Sequence, residues 1–163
     1  MSNAASSTKN ATAPRDKLRV FFDADVLIAG SVSKTHSSAS YILLQLAELT
    51  LIEGVICPYV REEVERNLKQ KLPQGLPIFQ ALVQTALKEV PDPPAEFLRE
   101  WAGRADPKDL VVLVAAYLHG SHYLVTFNTK DYPKPPESLK IIEPGELVRR
   151  VRAWLAELPQ SLR

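Results

Sequence analysis

Asp23 and Asp25 are two carboxylates set into an otherwise apolar stretch, Val20-Phe21-Phe22-Asp23-Ala24-Asp25-Val26-Leu27-Ile28. Burying such a pair is costly unless a cation neutralises it. A structural role competes for each acid, with Asp23 opening a turn and Asp25 capping the next helix. Further along, more oxygen-bearing residues fall in short groups. Glu62, Glu63 and Glu65 follow Pro58, Asp106 and Asp109 flank Pro107-Lys108, and Thr126, Asn128 and Asp131 follow the apolar Tyr123-Leu124-Val125. None of these places offers a His or Cys cluster. Oxygen donors alone suit a hard cation such as Mg²⁺ or Mn²⁺ and not a zinc site. His36 and His122 have no neighbouring Ser or Cys with a supporting acid, so a hydrolase triad has no basis. The six glycines are scattered, forming neither a phosphate-cradling loop nor a dinucleotide fingerprint.

The elements around these groups tell which acids can meet. Short apolar runs at Val20-Phe21-Phe22, Val55-Ile56-Cys57, Tyr123-Leu124-Val125 and Ile141-Ile142 read as buried parallel strands, with a further short strand at Lys88-Glu89-Val90. Helical spacing recurs in Ala39, Ile42, Leu43, Leu46 and Leu49, with Ser37 or Ser38 as N-cap and Glu53-Gly54 closing the helix. A second helix opens at Pro58 with Val60, Val64, Leu68 and Leu72 as its stripe, and a third spans 76–87. A short helix holds Phe97, Leu98 and Trp101. Asp106-Pro107-Lys108-Asp109 carries the signature of a helix start, and the helix after it is apolar all round, so it should be buried on most sides. Pro144-Gly145 opens a last helix. Strands alternating with helices predict an α/β fold, with a central, mainly parallel sheet of four to five short strands and helices on both faces.

In open α/β sheets the ligand site lies beyond the carboxyl ends of the strands. Asp23 and Asp25, the start of the Pro58 helix, and Thr126, Asn128 and Asp131 all fall there. At about 100° per residue, Glu62 faces away from the Val60/Val64/Leu68 stripe, while Glu63 and Glu65 lie on its two flanks. A ligand reaching inward comes from a flank, which favours Glu63 over Glu62. Helix-surface pairing with Arg66 or Lys69 is the plain alternative for these acids.

The chain as a whole sets bounds on the function. Its 163 residues suffice for one domain, expected over 17–158 with a short tail at 159–163. A hydrophobic share of 45% and a charged share of 24% are those of a globular protein. The net charge of +1 excludes a strongly basic nucleic-acid binder, though not a local basic rim around an acidic centre. The lone cysteine, Cys57, allows no internal disulfide and reads as a core residue, which makes a cytoplasmic setting the default. No apolar run approaches the roughly 20 residues of a membrane span. Residues 1–16 are rich in Ser, Ala, Thr and Asn and are expected to form a disordered arm, with Ser2-Asn3-Ala4 resembling a cloning scar.

In order, these motifs resemble those of PIN-domain nucleases. Phe21-Phe22-Asp23-Ala24-Asp25-Val26-Leu27-Ile28 looks like that family's opening strand, and Cys57-Pro58-Tyr59-Val60-Arg61-Glu62-Glu63 like its second motif, with the acid at Glu63. Arg104-Ala105-Asp106-Pro107-Lys108-Asp109 before an apolar helix is similar to the third, and Thr126-Phe127-Asn128-Thr129-Lys130-Asp131 to the last. The likeness extends over about 18–142 and is greatest to stand-alone bacterial and archaeal PIN proteins, among them VapC-type toxins of toxin–antitoxin pairs. In two places the chain departs from the family pattern: Phe127 stands at a usual Gly and Asn128 at a usual acid.

The resemblance implies a Mg²⁺- or Mn²⁺-dependent ribonuclease with one or two ions on Asp23, Glu63, Asp106 and Asp109. Asp25, Thr126, Asn128 and Asp131 would support them, with Thr126 orienting a ligand or the attacking water. Lys34, Arg61, Arg104, Lys108 and Lys130, near the motifs in sequence, are candidates to hold RNA phosphates. An antitoxin protein and a second copy of the chain are the other expected partners, and no membrane is. Two rival readings remain. One is a PIN-fold module with a weakened site that binds RNA or a protein. The other is a haloacid-dehalogenase-type phosphatase, which the opening Asp-x-Asp also resembles but whose later Lys and acidic pair are missing.

Overall fold

A computed structural model describes residues 17–161, with side chains described to residue 158. The expected N-terminal arm lies outside the described residues. The apolar runs form strands β1 (Leu18–Phe22), β2 (Ile52–Ile56), β3 (Leu87–Glu89), β4 (Tyr123–Val125) and β5 (Lys140–Ile142). They assemble into one sheet of order β3-β2-β1-β4-β5, in which every pairing is parallel. Val20, Phe21 and Phe22 of the middle strand are all fully buried. Successive strand residues point to opposite sides of a sheet, so both faces of β1 are covered.

The helices are α1 (Ala24–Ser31), α2 (Ala39–Glu48), α3 (Pro58–Lys71), α4 (Leu76–Thr85), α5 (Ala95–Glu100), α6 (Pro107–Leu118) and α7 (Pro144–Ser161). Ser38 caps α2 by accepting from the Tyr41 N–H at 3.2 Å. A proline occupies the first turn of α3 and of α6, where its missing N–H leaves no bond unmade. On α3 the buried residues are Val60, Val64 and Leu68, while on α6 nearly the whole run from Leu110 to Ala116 is buried. The core is a single cluster drawn from all five strands' surroundings. Cys57 is buried in it, its thiol pushed up to about 12 by burial, so it packs as a neutral group. Among the described residues, no helix is long and apolar enough to cross a membrane.

Two local expectations are corrected. The first concerns the start of α1, which begins immediately after β1 and whose cap is Asp23, not Asp25: Asp23 Oδ1 accepts from the Ala24 N–H at 2.8 Å. Asp25 sits in the first turn. The second concerns Glu53-Gly54, which does not close α2 but lies inside β2. The helix ends at Glu48, and Thr50 takes the left-handed turn with φ of 61°. Gly54 is required for closeness instead. A Cβ there would come within 3.0 Å of Leu87 Cδ2 and 3.2 Å of both Ala47 Cβ and Phe22 Cε1.

The strand order reverses at β1. The chain steps from β1 outward through β2 to β3, then returns to lay β4 against the other side of β1. Such a reversal leaves a crevice at the carboxyl ends of the two central strands.

Candidate functional site

The Asp23 N–H donates to the Val125 carbonyl at 3.0 Å, extending the β1–β4 ladder by one rung past the strand end. This places Asp23 at the crevice, beside Thr126. Here lies a cavity of about 310 Å³ lined by Asp23, Asp25, Tyr59, Glu63, Arg66, Lys108, Asp109, Asn128 and Asp131. Its walls are the ends of β1 and β4, the first turns of α1 and α6 and the stretch 59–66 of α3, which is why acids so far apart in sequence meet.

Each acid is held differently. Asp23 accepts from the Ala24 N–H through Oδ1 and from the Tyr132 hydroxyl through Oδ2, both at 2.8 Å. Asp25 Oδ2 accepts from the Phe127 N–H at 3.1 Å, the Asn128 amide at 3.0 Å and the Thr126 hydroxyl at 3.4 Å. The turn after β4 is thereby fastened to α1. Asp25 Oδ1 and Asp109 Oδ2, in contrast, are buried carboxylate oxygens with no partner among the described residues. An unpaired buried acceptor is costly, and a carboxylate more so.

Charge accounts for the rest. Five carboxylates line the cavity against two cations, Arg66 and Lys108. Burial, and then the charge of Asp23, pushes the Asp25 carboxyl up to about 6. Burial followed by Asp23 and Asp131 raises Asp109 to about 6 as well, with Lys108 pulling the other way. Glu63 is raised by burial and by Asp23, and drawn back by Arg66 and Lys108. Without a cation these groups compete to keep their protons.

The expected residues sort as follows. Asp23, Asp25, Glu63, Asp109, Asn128, Asp131 and Lys108 share the cavity. Glu62 is exposed, and Glu65 pairs with Arg61 at 3.2 Å. Asp106 stands at the N-cap position of α6 without a side-chain capping bond, and it is exposed and outside the cavity lining, though its charge is felt by Asp109. Thr126 is fully buried, and its hydroxyl is engaged by Asp25 and by the Asn128 N–H at 3.1 Å. It therefore helps hold the turn together.

The basic residues are dispersed. Arg61 is tied to Glu89 at 3.0 Å as well as to Glu65. Arg104 lies 4.6 Å over the Trp101 ring, in a separate groove shared with Tyr117, Pro135 and Pro136. Lys34 and Lys130 are exposed and do not line the cavity.

Three contributors escape a reading of the sequence. Tyr132 is buried, and burial with the nearby acids raises its hydroxyl well above the usual tyrosine range, so it remains a donor to Asp23. Tyr59 donates its hydroxyl to the Lys108 carbonyl at 2.9 Å, tying α3 to the start of α6. Arg66 reaches the cavity one turn after Glu63. Tyr132, next to Asp131, carried the only available signal, a hydroxyl-bearing aromatic just past an acidic motif.

The donor set fits a hard cation: five carboxylates and one amide, two buried oxygens unpaired, and neighbouring acids driven toward protonation. The acids are not already drawn together as a ready cage, because no group of three or more His, Cys, Asp or Glu among the described residues is set to hold an ion. Mutual repulsion opposes such closure in the absence of the ion.

A family model described as PIN domain matches residues 19–130. No curated protein matches the chain. Among solved structures, PAE2754 from Pyrobaculum aerophilum is 17% identical, covering 83% of this chain and 96% of its own, with a TM-score of 0.60. VapBC2 from Rickettsia felis, bound to a DNA fragment from its promoter, is 15% identical over 77% of this chain and 98% of that one, with a TM-score of 0.56. At such identities the two structures speak for the fold.

Proposed function

The chain belongs to the PIN domain family, and from that membership we propose that it is a Mg²⁺- or Mn²⁺-dependent ribonuclease. The observation that carries the reading is the pair of unpartnered buried oxygens, Asp25 Oδ1 and Asp109 Oδ2, within a cavity of five carboxylates at the crevice between β1 and β4. Asp23, Glu63 and Asp109 would hold one or two ions, and Asp106 would act from outside the lining, through its charge on Asp109. When bound, such an ion neutralises charge at the scissile phosphate and lowers the pKa of a water beside it.

The chain's own groups then divide the work. Asp23 is oriented by the Ala24 N–H and the Tyr132 hydroxyl. Asp25 and Thr126 hold the turn that presents Asn128 and Asp131. Lys108 and Arg66, the two cations of the lining, take the phosphates on either side. The chemistry needs no protein nucleophile.

The family match leaves the phosphatase reading unsupported. A setting as the toxin of a toxin–antitoxin pair, in the cytoplasm, is part of the proposal and draws on the likeness to VapBC2. A second copy of this chain remains a further proposed partner.

Cleavage of an end-labelled RNA in Mn²⁺ tests the reading. Asp23→Asn and Asp109→Asn should each lose activity by on the order of a hundredfold or more. Undiminished cleavage by both variants would sink it. One observation favours the weakened-site alternative: the Asn128 amide already donates to Asp25 and brings no charge of its own. Calorimetry with Mn²⁺ discriminates further, since a dead site with intact acids should still bind the ion while a rearranged one should not.

A further inference from the structure

Phe127 occupies an unusual position. It lies between buried Thr126 and cavity-lining Asn128, yet the residue is 47% exposed. A single exposed aromatic needs no explanation by itself. This one, however, is presented on a turn fixed from three sides. Its N–H donates to Asp25 Oδ2 at 3.1 Å, the Asn128 N–H donates to Thr126 Oγ1 at 3.1 Å, and the Thr126 N–H donates to the Ile142 carbonyl at 3.0 Å. With the backbone fixed this way, only the ring's own rotation is lost when something packs on it.

We infer that Phe127 is a stacking platform for one unpaired base of the substrate, adjoining the phosphate cleaved at the carboxylate cavity. The inference rests on the ribonuclease reading and adds to it a residue that binds a base beside the cleaved phosphate. Its Cα is covalently adjacent to an N–H bonded to a cavity carboxylate. Covalent geometry therefore keeps the ring within about 8 Å of Asp25 Oδ2, on the order of one nucleotide step. Bases stack on aromatic rings only when freed from a duplex, because paired bases are covered on both faces. Lys130, three residues further along the chain, and Lys108 and Arg66 in the cavity lining suit phosphates and offer no base readout. The ring thus supplies affinity for an unpaired base without choosing its identity.

Binding is measured by anisotropy of a labelled single-stranded oligoribonucleotide without metal, and the KM for its cleavage is measured with Mn²⁺. Phe127→Ala and Phe127→Leu should each weaken binding by about tenfold, raising KM by a similar factor, while Phe127→Trp retains wild-type affinity. In a series of oligonucleotides each lacking one base, one abasic position should abolish the difference between wild type and Phe127→Ala. Equal affinity of Phe127→Ala and wild type for the intact strand overturns the inference. So does a loss that persists for every abasic strand, or one that Phe127→Leu escapes. If wild type cleaves RNA and Phe127→Ala binds normally, only this inference fails. If wild type cleaves no RNA with Mn²⁺, the ribonuclease reading fails and takes the inference with it.

Discussion

Asp23 is the charge to which the other acids respond: together with burial, its negative charge raises Asp25, Glu63 and Asp109. It is also the most firmly oriented, with one oxygen on its own helix cap and the other on Tyr132. Tyr132→Phe keeps the ring and its packing but removes the 2.8 Å bond to Asp23 Oδ2. The expected loss of stability is about 1 kcal/mol, measured by urea denaturation, together with a several-fold weaker Mn²⁺ affinity by calorimetry. Unchanged Mn²⁺ affinity would show that the hydroxyl serves packing alone. At this scale the acids were legible because a carboxylate in an apolar stretch is chemically conspicuous. Tyr132, Tyr59 and Arg66 were not, since nothing in their residue types separates a contact across the cavity from ordinary packing or surface charge.

Element boundaries followed their local chemistry where it was strong. Ser38 capped α2 and Pro107 opened α6 as their residue types require. Glu63 faced the cavity because the flank of an amphipathic helix is fixed by its apolar stripe. Helix α1 and Gly54 do not follow such local signals, for related reasons. Helix α1 buries one face through Ala24, Val26, Leu27, Gly30 and Ser31, but Ile28 and Ala29 on the other side are apolar too, so its sequence lacks the polar–apolar alternation that marks a helix. Gly54 looked like a helix stop, but its lack of a side chain serves contact among Phe22, Ala47 and Leu87. The left-handed turn fell instead to Thr50, a β-branched residue poorly suited to φ of 61°. Thr50→Gly should therefore stabilise the protein by about 1 kcal/mol, seen as a rise in the denaturation midpoint at unchanged slope. A fall in the midpoint would mean that Thr50 makes a compensating contact.

On the scale of the molecule, the cavity couples folding to protons and metal. Asp25 and Asp109 are raised from 3.8 to about 6, so between those values the folded chain holds more protons than the unfolded one. Their contribution is most favourable at the acid end, falls as pH rises through that window, and is level above it. Asp109→Asn should accordingly stabilise the metal-free protein at neutral pH by about 1 kcal/mol once solvent screening is allowed for. The gain should fade toward about pH 4. Saturating Mn²⁺ should raise the melting temperature of wild type more at neutral pH than at acid pH, because the ion binds deprotonated carboxylates. Chelation should reverse the rise, and Asp109→Asn should blunt it. A melting temperature indifferent to Mn²⁺ at both pH values would contradict a metal site.

The sequence by itself determined the alternation of strands and helices, the parallel sheet and the candidate acids, because short apolar runs, caps and misplaced carboxylates are properties of adjacent residues. It did not determine how those acids divide their tasks. That Asp25 fastens the turn after β4 and that Tyr132 reaches Asp23 were settled only when β4 paired with β1. Hydrogen bonds between residues a hundred positions apart depend on sheet register, and register is set by packing of the whole domain.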